Sequence, residues 1–206
     1  MLRSLRHHCI TQLEDIFADA NHVYLIMELC VGGDLFDRIT SQPQCRYAES
    51  AARETVQNIL EGIKFLHDHN VAHRDIKPEN ILLTSRTSDT NIKISDFGLA
   101  KRVDETSRLR SVVGTPVYYA PEIMERIGTL QGIGEYSVEA DMWSLGVLTY
   151  VLLSGRLPWG LDDIRQLEGQ AQAQQPRQQR LVPFPPELFG SVSKEARDLI
   201  EKLLVE

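Results

Sequence analysis

Cysteine is scarce in this chain: only Cys9, Cys30 and Cys45 occur among 206 residues, and no two stand at Cys-x-x-Cys spacing. A disulfide framework or a zinc site is therefore not expected, and a reducing compartment is. The opening MLRSLRHHCI has no apolar signal-peptide core. The longest apolar run, Leu145 to Leu153, is broken by Gly146 and Thr149. It is too short to span a bilayer and reads as a buried helix. Positive charge is also short, with 22 Lys and Arg against 29 Asp and Glu and a formal net charge of −7. Bulk attraction to nucleic acid or an anionic membrane is thus missing, and neither is an expected partner. Glycine is absent before Gly32 and lysine before Lys64. What is present is a 42% apolar composition, enough for a substantial core. The expectation is an intracellular globular protein, cytoplasmic or nuclear.

The hydrophobic pattern predicts an α+β fold whose larger part is helical. TQLEDIFA and HVYLIMEL read as two strands joined by the turn cluster Asp19-Ala20-Asn21. Gly32-Gly33 breaks the chain, and Asp34 is placed to cap a short helix, LFDRI. Over 47–70, Ala52, Val56, Ile59, Ile63 and Leu66 recur at helical spacing. Short strands are predicted at Ile81–Thr84 and Asn91–Ser95, and helices at 138–154 and 193–204, the last capped by Ser193. Glu168–Arg180, rich in Gln, reads as a polar loop.

Four clusters carry the chemistry. The first, His73-Arg74-Asp75-Ile76-Lys77-Pro78-Glu79-Asn80, crowds a carboxylate, an amine and an amide into one irregular loop after a helix. The second, Asp96-Phe97-Gly98, follows the strand Ile92-Lys93-Ile94, a common way to aim a metal ligand into a cleft. The third is Gly114-Thr115-Pro116 with Tyr119-Ala120-Pro121-Glu122, and the fourth runs from Asp141 to Gly146. Any one of these could be an ordinary turn or triplet; their joint order and spacing could not.

Together they resemble the eukaryotic serine/threonine protein kinases, over nearly the whole chain, Leu2 to Val205. The resemblance implies a protein-kinase-like fold and transfer of the ATP γ-phosphoryl group to Ser or Thr of protein substrates. It implies that Asp75 is the catalytic base and that Lys77 stabilises the transferring group. Asn80 and Asp96 would be the Mg2+ ligands. Such roles suit a reaction that depends on positioning and charge neutralisation. Met27, Glu28 and Cys30 would form the hinge against adenine. Leu82 would lie under the ring, and Asp34 near the ribose. Asp34 and Glu79 would also read an arginine upstream of the acceptor.

Arg74, beside Asp75, implies control by a phosphate on the segment between Asp96 and Glu122, placed there by an upstream kinase. Candidate phosphosites are Ser111, favoured, and Thr106 and Ser107. Thr115 is expected near Lys77, and Thr115 and Glu122 would belong to the substrate platform. VGGDLFDRI and LLSGRLPW resemble the calcium/calmodulin-dependent kinase group. The long segment between Glu122 and Asp141 most resembles checkpoint kinases that carry forkhead-associated domains.

The resemblance also predicts a partial catalytic domain. Residues 1–28 would be the remnant of a small β lobe, 29–33 the hinge and 34–206 the large helical lobe without its C-terminal end. No glycine-rich loop and no strand lysine precede the hinge, and MLRSLRHH reads as the tail of a helix. Two readings follow: an active kinase domain, or a non-catalytic kinase-fold fragment acting as a binding module.

Overall fold

The computed structural model describes residues 3, 5–102, 115–124, 138–160 and 181–205. Strands β1 (Leu13–Ala18) and β2 (Val23–Met27) form an antiparallel hairpin in which Ile16 faces Leu25 and Ala18 faces Val23. Its turn is held by Asp19, whose carboxylate accepts the main-chain N–H groups of Asn21 and His22 at 2.7 and 2.8 Å. Helix α1 (Leu35–Ser41) starts at Asp34, which accepts the Asp37 N–H at 2.8 Å and so satisfies one of the helix's orphan donors.

Helix α2 (Glu49–Asp68) buries Ala52, Val56, Ile59, Ile63 and Leu66, the stripe predicted from spacing. It is shorter than 47–70 at both ends for local reasons. The Tyr47 N–H is spent on Leu152 O, and Asn70 takes a left-handed φ of 56°. Strands β3 (Val71–Ala72), β4 (Ile81–Leu83), β5 (Ile92–Ile94) and β6 (Lys101–Arg102) pair as β3–β6 and β4–β5, both antiparallel. Helix α3 spans Pro121–Met124.

Helix α4 (Glu139–Ser154) is buried along nearly its whole length and forms the centre of the helical part. It ends at Gly155, where φ is +70° and the N–H caps Val151 O, a conformation glycine adopts without strain. Helices α5 (Pro186–Phe189) and α6 (Lys194–Leu203) complete the chain order. Ser193 caps α6 through the Ala196 N–H at 3.1 Å. The fold is α+β, as predicted.

Some elements differ from the sequence reading. β3, β6, α3 and α5 are each at most four residues long, too short to show a period. Leu5 to His7 are not helical, contrary to the expected helix tail; Leu5 is buried in the core instead. The Gln-rich loop 168–180 and most of the segment between Glu122 and Asp141 lie outside the described residues. Among the described residues no helix is long and apolar enough to cross a membrane.

Candidate active site

The loop 73–80 leaves β3 at Ala72 and runs into β4. Its backbone is fixed from below by Asp141, a fully buried residue of α4. The two carboxylate oxygens accept the His73 and Arg74 N–H groups, each at 2.9 Å, and His67 Nε2 donates to Oδ2 at 2.9 Å. This grip holds Arg74 in a left-handed conformation, φ 71°, which a non-glycine residue adopts only when its surroundings enforce it. The chain therefore turns sharply before the buried Asp75.

The Asp75 carboxylate meets three partners. Lys77 Nζ lies 2.8 Å from Oδ2, Thr115 Oγ1 donates to Oδ1 at 3.0 Å, and Asn80 Nδ2 donates to Oδ2 at 2.8 Å. Lys77 also donates to Thr115 Oγ1 at 2.7 Å, so the four side chains form one network. Burial pushes the Asp75 carboxyl up. The hydrogen bonds and charge supplied by Lys77, Thr115 and Asn80 outweigh it and leave the group below its ordinary value. Asp75 is thus held ionised, acceptor-only and oriented, the state a hydroxyl-positioning base requires.

His73 joins this loop to the strand that carries Asp96. Its Nδ1 accepts the Asp75 N–H at 3.3 Å, so Nε2 carries the proton and donates to Ser95 O at 2.9 Å. Burial holds the His73 imidazole below its ordinary range, against the nearby Asp141 carboxylate. The ring also meets Phe97 edge-on, with centroids 5.1 Å apart. Ser95 in turn donates N–H and Oγ–H to Asn80 O at 2.8 and 2.9 Å.

Asn80 and Asp96 are thereby neighbours across two chain segments. Asp96 has φ 57°, its side chain is exposed, and its Oδ1 accepts the Gly98 N–H at 3.2 Å. The Asn80 amide nitrogen is bonded to both the Asp75 carboxylate and the Asp75 carbonyl, which leaves its Oδ1 as a donor atom. An amide oxygen and an exposed carboxylate on these neighbouring segments are hard oxygen ligands of the kind that Mg2+ takes, and Mg2+ would neutralise phosphate charge when bound.

The segment expected to be the hinge is tied down at both ends. Gly32 N–H donates to Leu83 O and Leu83 N–H to Gly33 O, each at 2.9 Å, while Asp34 bridges Leu82. Cys30, Leu82 and Met27 are half-buried. The Glu28 N–H is taken by Gln12 O at 2.8 Å. Among the described residues neither the Glu28 carbonyl nor the Cys30 N–H has a main-chain partner, which leaves one acceptor and one donor for a base edge. Asp34 spends Oδ1 on the α1 cap, and Glu79 is exposed. Arg74, expected to meet a phosphate, is buried, with Nε donating to Leu99 O at 2.6 Å.

Ser111, Thr106 and Ser107 lie outside the described residues, as does the Glu122 side chain. Four contributors escaped the sequence reading. Asp141 stood in a recognised cluster without a role, and His67 read only as a polar helix end. Lys93 forms a 3.0 Å ion pair with Glu28, joining β5 to the hinge. Arg38 gathers Asp89, Ser88 O, Arg86 O and Gly32 O beneath the hinge. Alternation and helical period reveal burial, and they do not reveal which distant groups will meet.

A helical domain with a hairpin above it, and a carboxylate–lysine–amide loop facing a second carboxylate at a strand end, define a protein-kinase-like domain. The sequence profile of the protein kinase domain family matches residues 1–206. The chain is 38% identical over 205 residues to Myosin light chain kinase A of Dictyostelium discoideum, across 100% of this chain and 64% of that protein. It is 40% identical over 207 residues to a serine/threonine-protein kinase H1 homolog of Danio rerio, across 99% of this chain and 45% of that protein. Against a CDPK-related protein kinase of Daucus carota it is 38% identical over 206 residues, across 99% of this chain and 32% of that protein. The chain belongs to the protein kinase family. It spans between about a third and two thirds of the length of these relatives.

Proposed function

We propose that this domain transfers the γ-phosphoryl group of ATP to serine or threonine hydroxyls of protein substrates. The observation that carries the reading is the ionised Asp75 carboxylate held between Lys77, Thr115 and Asn80. Asp75 would accept the substrate hydroxyl proton, and Lys77 would offset charge on the transferring group. Asn80 and Asp96 would hold Mg2+. Met27, Glu28, Cys30 and Leu82 would contact adenine, with Asp34 beside the ribose. Asp34 and Glu79 support a preference for one arginine upstream of the acceptor.

Regulation would run through phosphorylation at Ser111, or at Thr106 or Ser107, by an upstream kinase, with Arg74 as the pairing cation. Thr115 and Glu122 would belong to the substrate platform. The motifs VGGDLFDRI and LLSGRLPW support the calcium/calmodulin-dependent kinase group, and the long segment between Glu122 and Asp141 supports a likeness to the forkhead-associated-domain checkpoint kinases. We place the protein inside the cell, in cytoplasm or nucleus. We assign residues 1–28 to a small lobe, 29–33 to the hinge and 34–206 to the large lobe.

The test is phosphate transfer to a Ser/Thr peptide with an upstream Arg. Asp75→Asn should lower the rate by roughly 10²–10⁴-fold, the usual contribution of a positioned base. Undiminished transfer in that variant would remove Asp75 from the mechanism. Mg2+-dependent ATP binding that is lost in Asp96→Ala, without any transfer, would instead support the binding-module reading.

A further inference from the structure

We infer that His7, His8 and Cys9 form a binding site for a single Zn2+ ion, oriented by Glu61 of α2. None of these four residues belongs to the candidate active site. Cysteine spacing alone argued against zinc, because that test looks for paired cysteines and not for mixed nitrogen and sulfur donors.

Three consecutive donors converge here because the chain turns. The Ile10 N–H closes onto His7 O at 3.1 Å, and Cys9 O accepts the Ile94 N–H of β5 at 2.7 Å. One ligand atom from each of His7, His8 and Cys9 lies within 4.8 Å of the others. A tetrahedral zinc with bonds of about 2.0–2.3 Å sets its donors about 3.3–3.8 Å apart. Closing that gap takes about 1 Å of side-chain rotation, chiefly of the exposed His8, since Cys9 is buried.

The hydrogen bonds select the nitrogen that each imidazole offers. The Cys9 main-chain N–H donates to His7 Nδ1 at 3.2 Å, so Nδ1 is the unprotonated nitrogen, and zinc bound there takes the place of this hydrogen bond. The Glu61 carboxylate accepts from His8 Nε2 at 3.2 Å, which again leaves Nδ1 with the lone pair. A carboxylate holding the far nitrogen of a ligating histidine is the common second support of zinc sites. Glu61 is itself steadied by Gln57 Nε2 at 3.3 Å. The His7 ring stacks on Phe65, centroids 4.8 Å apart, which limits its rotation.

Two imidazoles and one thiolate are a borderline-soft set suited to zinc and unsuited to Mg2+ or Ca2+, with water as the fourth ligand on the open side. Burial, with Glu61 nearby and Lys93 opposing, pushes the Cys9 thiol up to about 11. The thiol is therefore protonated in the apo protein, and binding must release that proton to solvent as the Zn–S bond forms.

The experiment is a Co2+ titration of the 206-residue chain carrying Cys30→Ser and Cys45→Ser, followed by absorbance, with circular dichroism as the control for folding. The expected result is one equivalent of Co2+ with a thiolate-to-cobalt charge-transfer band, displaced by one equivalent of Zn2+. Cys9→Ser should abolish the band. Truncating the exposed His8 to Ala should leave the fold intact and weaken binding at least tenfold. Glu61→Gln should weaken it by roughly 10–100-fold, the usual effect of losing a ligand's outer partner. No charge-transfer band in the parent chain, or a band with unchanged affinity in His8→Ala, overturns the assignment.

Discussion

The Asp141 carboxylate and the His73 main-chain N–H meet at 2.9 Å in the core, and the same carboxylate takes the next N–H, from Arg74, at 2.9 Å. One side chain of the central helix thus sets the backbone of the loop that presents Asp75, with His67 as a third donor. Removing the acceptor strands buried donors, which costs about 1–3 kcal/mol apiece. We expect Asp141→Ala to lower unfolding stability in urea by about 3–5 kcal/mol, and to abolish Mg2+-dependent ATP binding before global unfolding. A loss under about 1 kcal/mol would mean that the loop is held elsewhere.

His73 predicts a pH response. Burial lowers its folded pKa below the unfolded value of about 6.5, so the unfolded chain binds the proton more readily. Stability is therefore fully present above about pH 6.5 and falls as the pH drops below it. Thermal unfolding midpoints measured from pH 7.5 to 5 should decline for the wild type. The decline should be shallower for His73→Gln, which does not titrate. Parallel curves would assign the acid sensitivity to other groups.

Gly32 sits where its backbone presses on the strand below the hinge. A Cβ added there would meet Ser85 O at 2.3 Å and Leu83 O at 2.7 Å, both rigid main-chain atoms. Gly32→Ala should push the hinge off β4, cost about 1–3 kcal/mol by overpacking, and weaken ATP binding. Gly33→Ala is the control: its Cβ meets nothing within 4 Å, although φ is +80°. It should cost less stability and spare the contact with Leu83.

The Lys93–Glu28 pair joins the strand that leads to Asp96 with the hinge. Its side chains are 13% and 30% exposed, between the surface and buried limits, so a coupling of about 1–2 kcal/mol is expected. A double-mutant cycle with Lys93→Met and Glu28→Gln measures it directly. Additive single effects would show that the two residues act independently.

Much of this protein could be read from the chain alone. The burial stripe of α2, the Ser193 and Asp34 caps, and the apolar length of α4 follow from local rules of spacing and capping. The octet from His73 to Asn80, Asp96-Phe97-Gly98 and the later clusters are contiguous motifs, so their identity needs no folding to be seen. Tertiary structure decided what contiguity cannot encode. It brought Lys93 onto Glu28, His67 and the loop amides onto Asp141, and Glu61 beside His8. Each is a polar contact between groups far apart in sequence, and a lone Asp, His or Lys carries no periodic signal. Only the packing of α2 and β5 around the loop, and of α4 beneath it, fixes which donors find which acceptors.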